Sequence, residues 1–166
     1  MRPILRFPDP RLRVVAAPVA VFDDDLRRLA ADLLEAMRAA PGIGITAPHV
    51  GVAQRLVVID LADAAGVRSY VNPLVVWTSP EMTRHEEGSV SMPGVAEQVE
   101  RHAIVRVRYR DLAGTEREEQ AGGLLAICLQ HEIDQLDGIF WIHRLSRLKR
   151  ERLVKRFEKL RRLDRP

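Results

Sequence analysis

The chain has 166 residues, of which 46% are hydrophobic and 30% are charged, with one cysteine and a formal net charge of +3. A single cysteine excludes an internal disulfide and a zinc module built on paired thiolates, so we expect a reduced, cytoplasmic setting. No apolar run approaches the ~20 residues of a membrane helix, and the amino terminus lacks the apolar segment of a signal peptide.

Three helices are predicted from apolar residues at helical spacing and from the residues that cap or stop them. The first helix has its N-cap at Asp23 or Asp24 and is stopped by Pro41. The second follows a pair of glycines and runs over residues 124 to about 136, and the third runs from about residue 146 to 163. The first and third have an apolar stripe, so each is expected to pack on the body of the protein.

Strands are predicted between the first two helices. Apolar and alternating residues indicate strands over residues 55–60, 70–77 and 104–109, and a turn at Gly114 predicts a hairpin partner for the last of them. The order of elements predicts an α+β fold, in which antiparallel or mixed β-sheets surround a central helix and further helices lie near both ends.

Positive charge is concentrated at the carboxy-terminal end. Over residues 143–166, eleven Lys/Arg residues stand against three acidic residues, so this segment has a formal charge of +8 and the remainder −5. A basic amphipathic helix suits phosphate contacts, although a solvated helix face explains the pattern equally well. It lacks a pattern of interleaved aromatic residues, so we expect no specific DNA binding. No repeat or linker divides the chain, which predicts one domain over residues 1–166.

The second predicted helix contains the sequence QHEIDQ at residues 130–135. Zinc hydrolases use H-E-x-x-H because histidines at i and i+4 share one helix face, and the glutamate can act as general base on metal-bound water. Here Gln135 takes the place of the second histidine. Alone, this half-motif favours a structural histidine over a metal ligand.

Two further segments change that interpretation. Three segments resemble three signature motifs in order and spacing, namely GIGITAPH at residues 42–49, EGSVS at 87–91 and QHEIDQLDG at 130–138. We expect the chain to form a loop after Gly44, before the strand predicted from residue 55. These are the motifs of the peptide deformylases, which read G-x-G-x-A-A-x-Q, E-G-C-L-S and Q-H-E-x-D-H. Shorter matches, such as VNP at 71–73 and VER at 99–101, extend the resemblance over essentially the whole chain.

The resemblance implies a peptide deformylase-like fold around one iron or zinc ion. It also implies removal of the formyl group from the amino-terminal formyl-methionine of new proteins, a step of protein maturation. The family's three metal ligands, one cysteine and two histidines, correspond here to Ser89, His131 and Gln135. Only His131 retains the family's residue.

Catalytic roles are implied for three further positions. Glu132 matches the catalytic glutamate, and His49 stands in the place of the glutamine whose amide holds the developing oxyanion. Val90 takes the place of the leucine whose backbone N–H assists that glutamine. The implied substrate-pocket residues are Gly42, Ile43, Gly44, Glu87 and Gly88.

The replaced ligands predict a degenerate metal site. A serine hydroxyl is neutral at pH 7 and an amide oxygen is a weaker donor than imidazole, so Ser89 and Gln135 should hold zinc or iron poorly. Two arrangements remain open. In one, His49 and His131 rebuild a site for iron, zinc or nickel with oxygen donors from their neighbours. In the other, His49 hydrogen-bonds Ser89 or Glu132 in a metal-free pocket.

Three functions follow as candidates. The chain is a hydrolase of N-formyl methionyl peptides whose ordinary activity is weak or absent, or it deformylates a small N-formyl amino acid. Otherwise it is a pseudoenzyme that binds formylated nascent chains, or the ribosome through its basic helix. Cys128 lies in an apolar run and is expected in the core. Ser89 or Ser91 as a nucleophile lacks the expected G-x-S-x-G elbow.

Overall fold

The structure, a computed structural model, describes residues 2–165. Helices α1 (Asp24–Ala39), α2 (Gly123–Leu136) and α3 (Arg147–Leu163) lie within them. The strands are β1 (Gly44–Thr46), β2 (Leu56–Asp60), β3 (Val67–Thr78), β4 (Met82–Ser89), β5 (Met92–His102), β6 (Ile104–Arg110) and β7 (Glu116–Gly122). Short 3-10 helices cover Pro10–Arg13, Ala47–Val50 and Trp141–Arg144.

The helix ends follow from local chemistry. Asp23 caps α1, because its carboxylate accepts a hydrogen bond from the backbone N–H of Leu26 at 3.1 Å. Ser146 caps α3, because its hydroxyl oxygen accepts a hydrogen bond from the backbone N–H of Lys149 at 3.3 Å. After α2 the chain turns at Gly138, which has a φ of +75°. A Cβ there would lie 2.5 Å from the carbonyl oxygen of Arg13, so this turn requires glycine.

Two antiparallel sheets form the body of the protein. The larger has the strand order β1-β2-β3-β6-β7, and β4 and β5 pair separately as a two-stranded sheet. An isolated parallel bridge joins Ala17 to Gln54. The predicted α+β fold class and the central position of the motif-bearing helix, α2, are confirmed.

Helices cover both faces of the larger sheet. Side chains alternate along β2, so Val57 and Ile59 pack in a core with α2, whereas Leu56 and Val58 pack in a core with α1. Burial on both faces explains why β2 is a continuous apolar run. A third core joins α3 to β5 and the 3-10 helix Trp141–Arg144.

One expectation about the chain between α1 and β6 is corrected, and one hairpin is added. The segment after Gly44, expected to be a loop, contains the rest of strand β1 and the 3-10 helix Ala47–Val50. The β4–β5 hairpin was not predicted, because β4 is largely polar and exposed and lacks an apolar alternation. Over the described residues, every helix is too short or too polar to span a membrane.

Candidate functional site

A pocket of about 370 Å³ opens between the β1 segment, the β4–β5 hairpin and α2. Every site residue that the sequence predicts lines this pocket, except Gln135. Its walls are otherwise largely apolar, with Ile43, Val95, Leu124 and Ile127 among the lining side chains. An apolar pocket with a few polar groups at its base is typical of a small-molecule or peptide-end binding site.

Helix α2 supplies the polar base of the pocket. Almost the whole helix is buried, and its apolar residues pack in the sheet core. Its polar residues are therefore buried too, which is costly unless each has a partner. Together with His49 from the Ala47–Val50 turn, the polar side chains at the base fall into one group whose polar atoms are paired and one group with unpaired atoms.

The paired group is a chain of ion pairs that is buried except at its Arg144 end. His131 Nδ1 donates to Glu87 Oε1 at 2.7 Å, and Arg101 donates to both oxygens of Glu87 at 2.8 Å. Arg101 also reaches Asp134 at 2.6 Å, and Arg144 binds both oxygens of Asp134 at 2.9 and 2.7 Å. Charge-assisted bonds of this kind lock the ring of His131 in one orientation.

The pKa values of this chain follow from the same contacts. Burial alone would raise the pKa of Glu87, but hydrogen bonds from Arg101 and His131 outweigh it and lower the pKa to about 2. Burial lowers the pKa of His131, but the Glu132 and Glu87 carboxylates reverse this and raise it above its usual value.

The unpaired group begins with His49. Its Nδ1 accepts a hydrogen bond from the backbone N–H of Thr46 at 2.9 Å, and lies 2.9 Å from the Thr46 hydroxyl. Burial, assisted by the charge of His131, lowers the pKa of His49 to about 3. The ring is therefore neutral, with its proton on Nε2. That buried Nε2 has no hydrogen-bond partner within residues 2–165.

Glu132 is the second unpaired group. Its Oε1 lies 3.7 Å from His131 Nε2 and its Oε2 lies 3.9 Å from His49 Nδ1, both beyond hydrogen-bond distance. Over the described part of the chain, Oε2 has no partner. Burial is the main reason that the pKa of Glu132 rises to about 7. A Cβ at Gly44 would lie 3.0 Å from Oε1, so a larger residue there would crowd the carboxylate.

The residues at the implied metal positions do not fit the family's ion. The hydroxyl oxygen of Ser89 accepts a hydrogen bond from the backbone N–H of Ser91 at 3.1 Å. Gln135 lies outside the pocket wall, where its amide donates to the carbonyl oxygen of Leu12 at 2.7 Å. Within residues 2–165, no group of three or more His, Cys, Asp or Glu side chains is arranged to hold a metal ion.

These contacts bear on the two expected arrangements of His49. Thr46 occupies Nδ1, which leaves Nε2 as the nitrogen that could bind a metal ion, so the rebuilt metal site stays a prediction. The alternative bond from His49 to Ser89 or Glu132 is not formed. The sequence could not show this, since it depends on how the Ala47–Val50 turn folds back on Thr46.

Cys128 and two arginines complete the surroundings. Cys128 packs in the sheet core, as expected, and also lines the pocket. Burial, with the nearby carboxylates of Glu132 and Glu87, raises the pKa of its thiol to about 12, so the group is inert. Arg101 and Arg144 are not among the site residues predicted from the sequence. The VER match at residues 99–101 was the only signal for either.

The α+β fold, the buried motif-bearing helix and the polar base of the pocket together define a candidate ligand-binding site. The chain belongs to the polypeptide deformylase family, whose profile matches residues 1–151. A curated relative from Brucella melitensis, named "Peptide deformylase-like", is 64% identical over 98% of this chain and 99% of its own length. A relative from Methylocella silvestris, named "Peptide deformylase", is 48% identical over 99% of this chain and 87% of its own.

Solved structures agree with this assignment. A peptide deformylase from Legionella pneumophila superposes with a TM-score of 0.93 at 40% identity, over 100% of this chain and 99% of that one. One from Synechococcus elongatus, described as a complex with actinonin, has a TM-score of 0.90 at 37% identity, over 93% and 86% of the two chains. The family's backbone is therefore preserved, although two implied ligand positions hold different residues.

Proposed function

We propose that this protein binds the N-formylated amino end of a methionyl peptide and does not deformylate it by the metal-dependent route. Family membership supports the class of ligand. The donor set supports the second part, because the neutral hydroxyl of Ser89 and the buried amide of Gln135, which is bonded to Leu12, replace two ligands. The residues at the family's catalytic positions, His49, Glu132 and Val90, then act as binding residues.

One observation is the main support: two unpartnered polar atoms are buried at the base of a pocket whose walls are largely apolar. His49 Nε2 is a donor and Glu132 Oε2 is an acceptor, and neither has a partner within residues 2–165. A formamide group presents a carbonyl oxygen and an N–H, which match this donor and acceptor. Leaving a buried polar atom unpaired costs about 1–3 kcal/mol, so a ligand that pairs both gains that free energy.

The rest of the pocket suits a methionyl side chain. Leu124, Ile127 and Val95 offer an apolar wall, and an unbranched thioether adapts readily to such surfaces. Gly42 and Gly44 keep the β1 side close to the base, since a Cβ at Gly42 would lie 2.6 Å from Val90 Cγ1. Gly88 on the opposite strand similarly lies against the backbone of Val95.

Calorimetry with two peptides and three protein variants tests the proposal. Formyl-Met-Ala-Ser should bind the purified protein at least ~10-fold more tightly than Met-Ala-Ser, whose free amine lacks the carbonyl acceptor. His49→Leu and Glu132→Gln should each weaken formyl-peptide binding about 10-fold. Glu118→Gln, the same change on the exposed strand β7, should leave it unchanged.

The same preparations distinguish binding from hydrolysis. Elemental analysis and turnover of formyl-Met-Ala-Ser and free N-formylmethionine are measured on protein purified without added metal. Stoichiometric metal together with turnover that Glu132→Gln abolishes would overturn the proposal and establish a deformylase, of peptides or of a small N-formyl amino acid. Equal affinity for formylated and free peptides would also contradict it.

The basic carboxy-terminal helix supports a place of action near nascent chains. Arg152, Lys159 and Arg162 are exposed on α3, whereas Leu153 and Phe157 are buried against the body. We include a ribosome contact in the proposal, and with it a cytoplasmic location and one domain over residues 1–166. Co-sedimentation with ribosomes should weaken as salt rises. It should also weaken when the three exposed bases are changed to glutamine, and a contact unaffected by these changes would exclude this helix.

A further inference from the structure

A second pocket, of about 470 Å³, lies under α3 and shares no lining residue with the first. It is enclosed by the amino-terminal segment, the 3-10 helix Trp141–Arg144 and the first half of α3. Its volume falls within the roughly 300–1,000 Å³ of small-molecule sites. Nothing in the function proposed above uses it.

The inner wall of this pocket is made by the third core. Leu12, Phe140 and Ile142 line it and are almost completely buried. Phe7 stacks on Phe140 with ring centroids 5.5 Å apart, and Val154 of α3 faces the same space. An apolar chain entering here would contact side chains already held in place, so it would order little on binding.

The outer wall has an excess of unpaired positive charge. Arg13, Arg150 and Lys155 line the pocket, and none of the three forms an ion pair within residues 2–165. Two lining acids are already neutralised, because Asp9 binds Arg11 at 2.8 Å and Glu151 binds Arg147 at 2.9 Å. Glu158 is the remaining lining acid.

The pKa of His143 reflects a positive electrostatic potential at this wall. It lines the same pocket, and its pKa is lowered first by burial and then by the charges of Arg150 and Arg13. Both guanidinium groups therefore act on one point of the wall, although they come from different segments of the chain. An anion placed there would meet two cations at once.

We propose that this pocket binds a medium-chain fatty acid, with its alkyl chain along Phe7 and Phe140 and its carboxylate between Arg13 and Arg150. Charge complementarity selects an anionic head group, and the aromatic and aliphatic inner wall selects an unbranched apolar tail. Arg is suited to this task because its planar guanidinium pairs with carboxylates in a bidentate manner.

Calorimetry on the full-length protein tests the head group and the tail. Decanoate below its micelle concentration should bind at one site per chain, while decanol, which lacks the charge, and decyltrimethylammonium, whose charge is reversed, should bind at least ~10-fold more weakly. Acetate, which lacks the tail, should also fail. Binding of decanol as tight as decanoate would overturn the proposal, and tighter binding of decyl phosphate would overturn the carboxylate assignment.

Paired variants test the location. Arg13→Gln combined with Arg150→Gln should weaken decanoate binding at least ~10-fold. Arg152→Gln combined with Arg156→Gln, two exposed positions of α3 that do not line the pocket, should not. Equal affinity of all three proteins would place the ligand elsewhere.

A measurement on the unmodified protein keeps the test decisive if the first variant folds poorly. Bound carboxylate opposes the field of the two arginines, so decanoate should raise the pKa of His143, followed by NMR. His102, which is held by the carbonyl of Ser79 at 2.8 Å and lies outside the pocket, serves as the control. An unchanged His143 titration at saturating decanoate would contradict the proposed site.

Discussion

At the base of the pocket formed by α2, the buried polar groups are paired on one side and partly unpaired on the other. On one side, Glu87, Arg101 and Asp134 form a chain in which every carboxylate oxygen has a cationic or imidazole partner at 2.6–2.9 Å. On the other, His49 and Glu132 lie 3.9 Å apart, and each has a buried polar atom without a partner in the described chain.

This difference separates support from binding. The paired side fixes His131 through its Nδ1, and the carboxylates of Glu87 and Asp134 gain little from a ligand, because all their oxygens are already hydrogen-bonded. The unpaired side is costly in the free protein, and such cost at a pocket base is typical of a site that a ligand completes. The family's scaffold is thus retained, and the change lies in what the base of the pocket can hold.

The largest expected effect comes from rebuilding the metal donors on the retained scaffold. We expect Ser89→Cys, Gln135→His and His49→Gln together to bind about one zinc or nickel ion per chain. The binding free energy of a structural zinc ion is on the order of 10 kcal/mol. It outweighs the loss of the hydrogen bond from Gln135 to the carbonyl oxygen of Leu12. Elemental analysis after dialysis is the measurement.

The control for this prediction lacks one donor. The variant with only Ser89→Cys and His49→Gln should retain at least ~10-fold less metal, because thiolate and one imidazole leave the site incomplete. If the triple variant also retains no metal, the pocket has diverged in shape as well as in its ligands.

The next largest effect is expected from a substitution that removes an ion-pair partner on the paired side. Arg101→Met leaves two buried carboxylates, Glu87 and Asp134, without their shared partner. We expect a loss of about 3–5 kcal/mol in the free energy of unfolding, measured with urea. Arg84→Met removes an exposed pair with Glu100 in the same hairpin and should cost less than ~1 kcal/mol. Similar losses would show that the buried chain is not a supporting element.

Local signals made most of the fold predictable. Asp23 and Ser146 mark the starts of α1 and α3 because N-capping is a short-range interaction. The β4–β5 hairpin escaped prediction for a physical reason. Its buried positions include Glu87 and Arg101, which are polar and pair only after α2 packs on them.

The site was predictable as a set of positions but not as a set of contacts. Motif spacing brought His49, Glu87 and His131 to one pocket, as the structure shows. The direction of Gln135 depends on the carbonyl of Leu12, which is 123 residues away in sequence. A long-range contact of this kind leaves no periodic or spacing signal.

A smaller effect tests the unpaired side through its pH dependence. Burial raises the pKa of Glu132 from 4.5 to about 7, so the folded state holds this proton more tightly than the unfolded chain. The associated stability is complete below pH 4.5 and is lost as the pH rises through 7. The glutamine of Glu132→Gln cannot ionise. The free energy of unfolding of this variant, relative to that of the original protein, should therefore increase by on the order of 2 kcal/mol between pH 5 and pH 8. Urea unfolding at both pH values measures it, and a difference that does not change with pH would show that Glu132 is effectively solvated.

The smallest effect lies where the paired side reaches the surface. Arg144 binds Asp134 through two hydrogen bonds, but its side chain is 46% exposed and Asp134 also keeps Arg101. Arg144→Gln should therefore cost only about 1 kcal/mol in urea unfolding. Arg147→Gln breaks the more exposed pair with Glu151 and should cost about half as much or less. Equal losses from Arg144→Gln and Arg147→Gln would show that the stabilising chain of ion pairs ends at Arg101. A loss from Arg144→Gln as large as that of Arg101→Met would show that the pair of Arg144 with Asp134 behaves as a buried pair.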